Sequence, residues 1–326
     1  MLAWTVHAYG DYKDRLKLEE HSLPRVVDSE VLIKVKAAGV NFFDILTVAG
    51  KYQIKAPLPF VPGGEAAGEV VEAGAACDLK VGERVMTNHS GTFAEFMLAP
   101  QKATFRIPEK MSDTDAAAFQ INYQTAYFAL VHRANLKPSE FLLVHGGAGG
   151  VGSAAIQIGK ALGARVIATA GSAEKLQICR QCGAESLINY RTEDFVEKVK
   201  EFTAGKGADV IYDPVGGDVF DQSTKCIAWE GRIVVIGFTS GRIPEFRTNR
   251  ALLKNMSVVG LWWGSYRIHN PRLVEQAQQR LYQMYEKGSI KPVIHSVYEL
   301  KDLPQALALI ENRQSHGKVV IEVNKE

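Results

Sequence analysis

Three glycines carry the most specific chemistry in this chain. Gly147, Gly149 and Gly152 form a GxGxxG within the run His145-Gly146-Gly147-Ala148-Gly149-Gly150-Val151-Gly152. At that spacing the first glycine permits a tight turn. The second lets the backbone approach a pyrophosphate, and the third lets a helix pack closely on a sheet. The motif alone is a weak signal, and its context decides. Phe141-Leu142-Leu143-Val144 before it reads as a buried strand. Val151 to Leu162 after it reads as a helix, with Val151, Ala154, Ala155, Ile158, Ala161 and Leu162 on one face. A helix entered this way offers free N–H groups and its positive dipole end to phosphates. Gly147, Gly149, Gly150, Val151 and Gly152 are therefore expected to hold a dinucleotide.

The next stretch selects the cofactor. NAD-binding units carry an acidic residue about 20 positions on, at the end of the second strand, to hold the ribose hydroxyls. Here that stretch is Ala168-Thr169-Ala170-Gly171-Ser172-Ala173-Glu174-Lys175, with no acid at the strand end. Gly171 and Ser172 leave room, Lys175 supplies positive charge one helical turn in, and Tyr190 and Arg191 follow the third strand. This pattern fits a 2′-phosphate, which a carboxylate would repel, so NADPH is the expected cofactor. Glu174 reads as first-turn helix stabilisation facing solvent. Phe238 and Thr239 follow the strand Arg232 to Ile236, at the sheet's carboxyl edge where such ligands bind.

These residues need a scaffold. From Glu140 onward strand and helix alternate, the signature of a doubly wound parallel sheet. The first hundred residues read instead as short strands punctuated by Gly and Pro, which points to a small barrel or sandwich. Ser112 reads as a helix N-cap followed by the acids Asp113 and Asp115, with helical sequence running on toward His132. A long helix is expected from Pro271 to Lys287, and the last strand from Lys318 to Val323. The chain has 326 residues, 46% hydrophobic and 23% charged, with a formal net charge of +2. That balance argues against a nucleic-acid partner. No apolar run is long enough for a membrane helix, and the N-terminus lacks signal-peptide character, so a cytoplasmic location is expected. Cys179 and Cys182 form a CxxC without a second ligand pair and read as two cysteines of a helix.

The sequence resembles the zinc-independent quinone oxidoreductase group of the medium-chain dehydrogenase/reductase superfamily over essentially its whole length. The resemblance rests on Gly39-Val40-Asn41-Phe42-Phe43-Asp44, Pro62-Gly63-Gly64-Glu65, Gly82-Glu83-Arg84-Val85, the glycine loop, Ala170 to Lys175, Ile188 to Arg191 and Tyr212 to Gly217. It implies an α/β fold with a Rossmann doubly wound parallel sheet and a GroES-like β-barrel catalytic domain. The expected boundaries are 1–122 for the first part of the catalytic domain, 123–262 for the NADPH-binding Rossmann domain and 263–326 for the return to the catalytic domain. A cofactor cleft between the domains and a homodimer are further implications. Where zinc-dependent members place metal ligands, this chain has Asn41, Gly64 and a position near Ile121, and the four-cysteine lobe for structural zinc is missing. No metal is therefore expected.

The resemblance also nominates the substrate side. Asn41 stands at the pocket position of the group, Tyr52 offers a phenol to a substrate oxygen, and Asp44 orients Asn41 or caps a helix. It places Thr125 and Trp263 near the nicotinamide, and Arg313 and Lys318 near a phosphate. The expected reaction is hydride transfer from NADPH to a quinone or similar conjugated carbonyl compound. The alternatives are a 2-alkenal or enoyl thioester reductase on the same fold, or a non-catalytic NADPH-binding structural or regulatory protein.

Overall fold

The computed structural model describes residues 1–323. Two compact units divide the chain: Met1–Ile121 together with the described residues from Val293 onward, and Asn122–Pro292. In the first unit the strands are β1 (Leu2–Val6), β2 (Leu16–Glu20), β3 (Glu30–Val40), β4 (Ala66–Ala73), β5 (Arg84–Thr87), β6 (Phe96–Pro100) and β7 (Thr104–Arg106). The second unit contributes β8 (Phe141–Val144), β9 (Arg165–Ala170), β10 (Ser186–Asn189), β11 (Ala208–Asp213), β12 (Ile227–Val235) and β13 (Ser257–Gly260). The chain then returns with β14 (Ile294–Glu299) and β15 (Lys318–Glu322).

The main sheet of the first unit runs β14-β15-β3-β4-β5-β7, with β6 also pairing with β3. β3 is its spine: Val31, Ile33 and Val35 point into a core shared with Val70, Val85, Phe93, Met97, Val319 and Ile321. Two register shifts against β4, between Leu32 and Ile33 and between Val35 and Ala37, bend the long strand. Its last residue, Val40, delivers the chain directly to Asn41. The last strand, β15, is antiparallel to β3, with Val319 opposite Val40. This pairing sets the start of β15, where Lys318 sits, beside the end of β3.

The second unit has one parallel sheet in the order β10-β9-β8-β11-β12-β13. The order reverses between β8 and β11, and ligands of such sheets bind outside the strand carboxyl ends at that switch. Leu143, Ile167, Ile188, Ile211 and Ile233 are fully buried from the sheet side, against Phe195, Val196, Val199 and Phe220 of the helices. Each such aliphatic side chain contributes about 1.5–3 kcal/mol of burial. Among the described residues, no helix is long and apolar enough to cross a membrane.

Three features depart from the sequence reading. The helical stretch after Ser112 is interrupted: Asp113–Ala117, then Gln120–Tyr127, then a wider π-type coil over Phe128–Arg133. A short helix, Trp263–His269, precedes the long one at Pro271–Glu286. The return to the first unit comes at Val293, not at residue 263. Residues 263–292 stay in the second unit because its own elements hold them. Gln124 Nε2 donates to Val274 O at 3.1 Å and Gln278 Oε1 at 2.8 Å, and the Phe128 ring packs tilted against Tyr266 with centroids 4.6 Å apart. Cys179 and Cys182 are buried free thiols on the helix Ala173–Cys182.

Candidate functional site

The glycine loop links β8 to the helix Gly150–Ala161, with Gly149 as its N-cap. Gly147 N–H donates to Thr169 O at 2.9 Å and Gly149 N–H to Gly146 O at 2.9 Å, so the turn is tied to the end of β9 and to itself. A Cβ on Gly152 would overlap the Gly146 carbonyl oxygen, which is the close packing this position requires. The N–H groups of Gly150, Val151 and Gly152 lie in the helix's first turn, where donors have no intrahelical acceptor. They make an anion cradle with the dipole's positive end behind it.

His145 lies beneath this loop and is 2% exposed. Burial pulls its pKa down to about 3, so the ring is neutral. Ser223 Oγ gives its proton to Val219 O at 2.7 Å and so accepts from His145 Nε2–H at 2.9 Å. Nδ1 then accepts from Thr169 Oγ1 at 3.1 Å. The ring clamps β8, β9 and the helix Gly217–Cys226 below the loop.

At the end of β9, Ser172 caps the helix Ala173–Cys182, its Oγ accepting from Lys175 N–H at 3.3 Å. Glu174 is exposed. A Cβ on Gly171 would lie 2.6 Å from the Tyr190 hydroxyl and 3.2 Å from Arg191 Nε. The structure thus brings Tyr190 and Arg191 against Gly171, beside the Ser172 cap. The side of the sheet across the switch carries further expected residues. Thr239 N–H and Oγ1 both approach Pro214 O, at 3.2 and 3.1 Å. Phe238 lies against Gly216. Asp213, fully buried at the end of β11, accepts from Val215 and Gly216 N–H at 2.8 and 2.9 Å, and burial raises its pKa. Thr125 is buried on the helix Gln120–Tyr127. Trp263 is buried with its indole N–H lacking a protein acceptor.

The first unit holds a separate polar cluster. Asn41 and Asp44 are 8% and 1% exposed. Asn41 N–H donates to the Asp44 carboxylate at 2.8 Å, so Asp44 both caps the helix Phe42–Val48 and orients the Asn41 backbone. Burial raises the Asp44 pKa to about 7 against the pull of the Asn41 N–H and the Lys318 charge. The Asn41 amide donates to Gly39 O at 3.2 Å and Glu65 Oε1 at 3.1 Å, and its oxygen accepts from Lys318 Nζ at 2.5 Å. Lys318 also forms an ion pair with Glu65, both side chains being almost fully buried. Tyr52 packs on Phe43, ring centroids 5.3 Å apart, and Phe43 fills the space a side chain on Gly64 would need.

One expectation changes here. The resemblance places Lys318 near a phosphate, but its ammonium is committed to Glu65 and Asn41. Asn41, expected at the substrate pocket, has its amide protons on Gly39 O and Glu65 Oε1. Arg313 is exposed in the turn after the helix Leu303–Glu311. Sequence reasoning gives Glu65 no role. The available signal is a lysine opening an otherwise apolar strand, Lys318-Val319-Val320-Ile321, which demands a buried counter-charge.

Comparisons with known proteins fit this geometry. Residues 27–109 match the family of alcohol dehydrogenase GroES-like domains and residues 150–284 that of zinc-binding dehydrogenases. A quinone oxidoreductase-like protein 2 homolog of Nematostella vectensis is 43% identical over 308 residues, covering 93% of this chain and 84% of that protein. The chain belongs to the quinone oxidoreductase group of the medium-chain dehydrogenase/reductase superfamily. Within that group, the Escherichia coli quinone oxidoreductase solved with NADPH superposes with a TM-score of 0.92 at 31% identity, over 99% of this chain and 100% of that one. The CurK enoyl reductase gives 0.88 at 28%, over 99% of each chain. In this chain the glycine loop and the Gly171 pocket belong to the second unit. The Asn41–Glu65–Lys318 cluster marks the part that composition and spacing leave unassigned.

Proposed function

We propose that the chain binds NADPH and reduces a quinone or similar conjugated carbonyl compound without zinc. The observation that carries this reading is the Gly171 pocket, where Tyr190 and Arg191 close on a backbone that lacks the NAD-type carboxylate. Gly150, Val151 and Gly152 N–H groups would hold the pyrophosphate, and Ser172, Lys175, Tyr190 and Arg191 the 2′-phosphate. Thr125, Phe238, Thr239 and the unpartnered indole N–H of Trp263 would contact the nicotinamide end. When bound, NADPH supplies the hydride. Tyr52 is the phenol of the first unit assigned to donate to the acceptor oxygen.

Independence from zinc follows from chemistry and from the donor set. Alcohol oxidation needs a Lewis acid to stabilise an alkoxide. Reduction of a conjugated acceptor spreads the incoming charge onto an oxygen that hydrogen-bond donors can serve. Asn41 and Gly64 are not zinc ligands, and the Lys318 ammonium beside Asn41 repels a second cation. A homodimer and a cytoplasmic setting belong to the same reading.

The test is NADPH and NADH oxidation by chelator-treated protein with a quinone, an enone, a 2-alkenal and a simple ketone. The expected result is NADPH-selective turnover of conjugated acceptors only. Ketone reduction, or activity that appears only with zinc, would overturn it. The likeness to an enoyl reductase supports a second reading, enoyl or 2-alkenal reduction, which those acceptors would reveal by rank. Tight NADPH binding without turnover of any acceptor would point to a structural or regulatory role.

A further inference from the structure

Two histidines of the first unit face each other outside the cluster around Asn41. His295 Nδ1 lies 3.1 Å from His316 Nδ1, with the ring planes 86° apart and the centroids 4.4 Å apart. Both residues are half-buried. The backbone sets each ring. β14 and β15 are parallel partners, and a register shift between Ile294 and Ser296 leaves His295 as the extra residue of a bulge. A bulge re-aims a side chain that a regular strand would place elsewhere. His316 sits in the turn before β15. Next to it Gly317 has a φ of +50°, and a Cβ there would overlap Val293 O. Lys318 N–H donates to that same carbonyl at 2.7 Å. The turn that presents His316 is thus pinned to the segment that leads into His295.

For two imidazoles alone the contact is a compromise. They share one proton, one Nδ1 donating and the other accepting. The centroids are too close for rings joined in line through these atoms, so the hydrogen bond is bent, and bent hydrogen bonds are weak. The spacing suits a shared cation better. Two imidazole nitrogens at about 2.0–2.1 Å from one ion, and about 90–109° apart, stand roughly 2.8–3.4 Å from each other. Ser296 Oγ, beside the bulge, is buried without a partner among the described residues, and such an atom calls for a water or an ion. We propose that His295 and His316 form a two-imidazole site for Cu²⁺ or Zn²⁺, which ties β14 to the turn that opens β15. Imidazole is a ligand that both ions favour, and Cu²⁺ binds such donors more tightly than Zn²⁺. On loading, the shared proton moves to Nε2 of its own ring, so both rings stay neutral and both Nδ1 atoms ligate. Among the described residues no group of three His, Cys, Asp or Glu side chains could hold a metal ion. Water therefore completes the shell, and the ion exchanges readily. The site is structural and does not depend on the reductase reading.

The experiment titrates chelator-treated protein with Cu²⁺, Zn²⁺ and Mg²⁺ by calorimetry. Electron paramagnetic resonance then counts the nitrogens on bound Cu²⁺, and the melting temperature is recorded with and without Zn²⁺. The unaltered protein should bind one Cu²⁺ per chain through two nitrogens, Zn²⁺ more weakly, and no Mg²⁺. Saturating Zn²⁺ should raise the melting temperature, because an ion held only by the folded chain stabilises it. His295→Gln and His316→Gln each keep a donor and an acceptor for the neighbouring ring. Each should weaken Cu²⁺ binding at least tenfold and abolish the rise in melting temperature with Zn²⁺. His7→Gln is the control: it removes a histidine paired with Glu19 at 2.9 Å on another face of the unit and should leave Cu²⁺ binding unchanged. Cu²⁺ held by fewer than two nitrogens would overturn the proposal. So would affinity that survives both His295→Gln and His316→Gln, or a loss in His7→Gln as large as theirs. If neither pair variant folds, the nitrogen count decides: two nitrogens that persist in His7→Gln support the site, and fewer refute it.

Discussion

At the scale of single residues, the two most perturbed groups with a clear structural task are His145 and Asp44, and they respond to pH in opposite directions. The His145 ring is held neutral between Thr169 and Ser223, its pKa lowered from 6.5 to about 3 by burial. In the unfolded chain it takes up a proton near its ordinary value. As pH falls from about 6.5 to 3, the unfolded state therefore binds a proton that the folded state refuses, and stability is lost over that range. The full effect is on the order of 4–5 kcal/mol, since a tenfold change in proton affinity is worth about 1.4 kcal/mol. His145→Gln keeps a donor and an acceptor without the titration. Its urea-unfolding free energy should fall less steeply than the native protein's between pH 6.5 and 4. Parallel curves would mean that His145 is protonated in the fold. Asp44 contributes with the other sign: its raised pKa makes stability decline as pH rises from about 4 to 7.

At the scale of elements, the strand–loop–helix unit is where local rules and function meet. Gly152→Ala should favour the helix by about 1 kcal/mol on propensity alone. The new methyl group, however, would overlap the Gly146 carbonyl, and the loop cannot retreat because Gly147 and Gly149 N–H groups pin it. Overpacking costs about 1–3 kcal/mol, so the clash wins. The variant should melt a few degrees lower and bind NADPH at least tenfold more weakly in a fluorescence titration. Unchanged NADPH affinity would remove this turn from the cofactor site. This element is legible because its signal is local: glycine spacing, a buried strand before it and a 3.6-residue period after it. The same holds for the Ser112 cap, whose Oγ accepts from Asp115 N–H at 3.1 Å. Other features are hidden because their causes are distant. β2 exists only by pairing with β1 across the intervening segment. Trp263–His269 begins without a side-chain cap, and its packing on Phe128 comes from a segment far away in sequence. Lys318 and Glu65 meet 253 residues apart, so no window along the chain could pair them, although a lysine in an apolar strand gives notice that a partner is needed.

At the scale of the whole molecule, the parallel sheet of the second unit ends on an edge that needs cover. Among the described residues β13 pairs only with β12 on the path of the sheet, and Ser257, Val258 and Gly260 of its four residues are exposed. Leu252 and Leu253, just before it, are 79% and 71% exposed, and Trp262, just after it, is 44% exposed. An open edge flanked by large apolar side chains is a template for pairing with another chain. A second copy related by a two-fold axis is the simplest occupant, because one self-complementary patch then covers both edges and closes the assembly. For the homodimer of the proposed function, this edge is the expected interface. Val258→Lys would place a like charge from each copy at the centre of that contact, where desolvation and repulsion act together. Light scattering after gel filtration should give twice the chain mass for the native protein and the single-chain mass for Val258→Lys. The cooperative unfolding of the variant should stay intact, because Val258 lies outside the buried core of its own chain. A native protein that runs as a monomer, or a variant that remains a dimer, would move the interface elsewhere and leave Leu252 and Leu253 in need of a different partner.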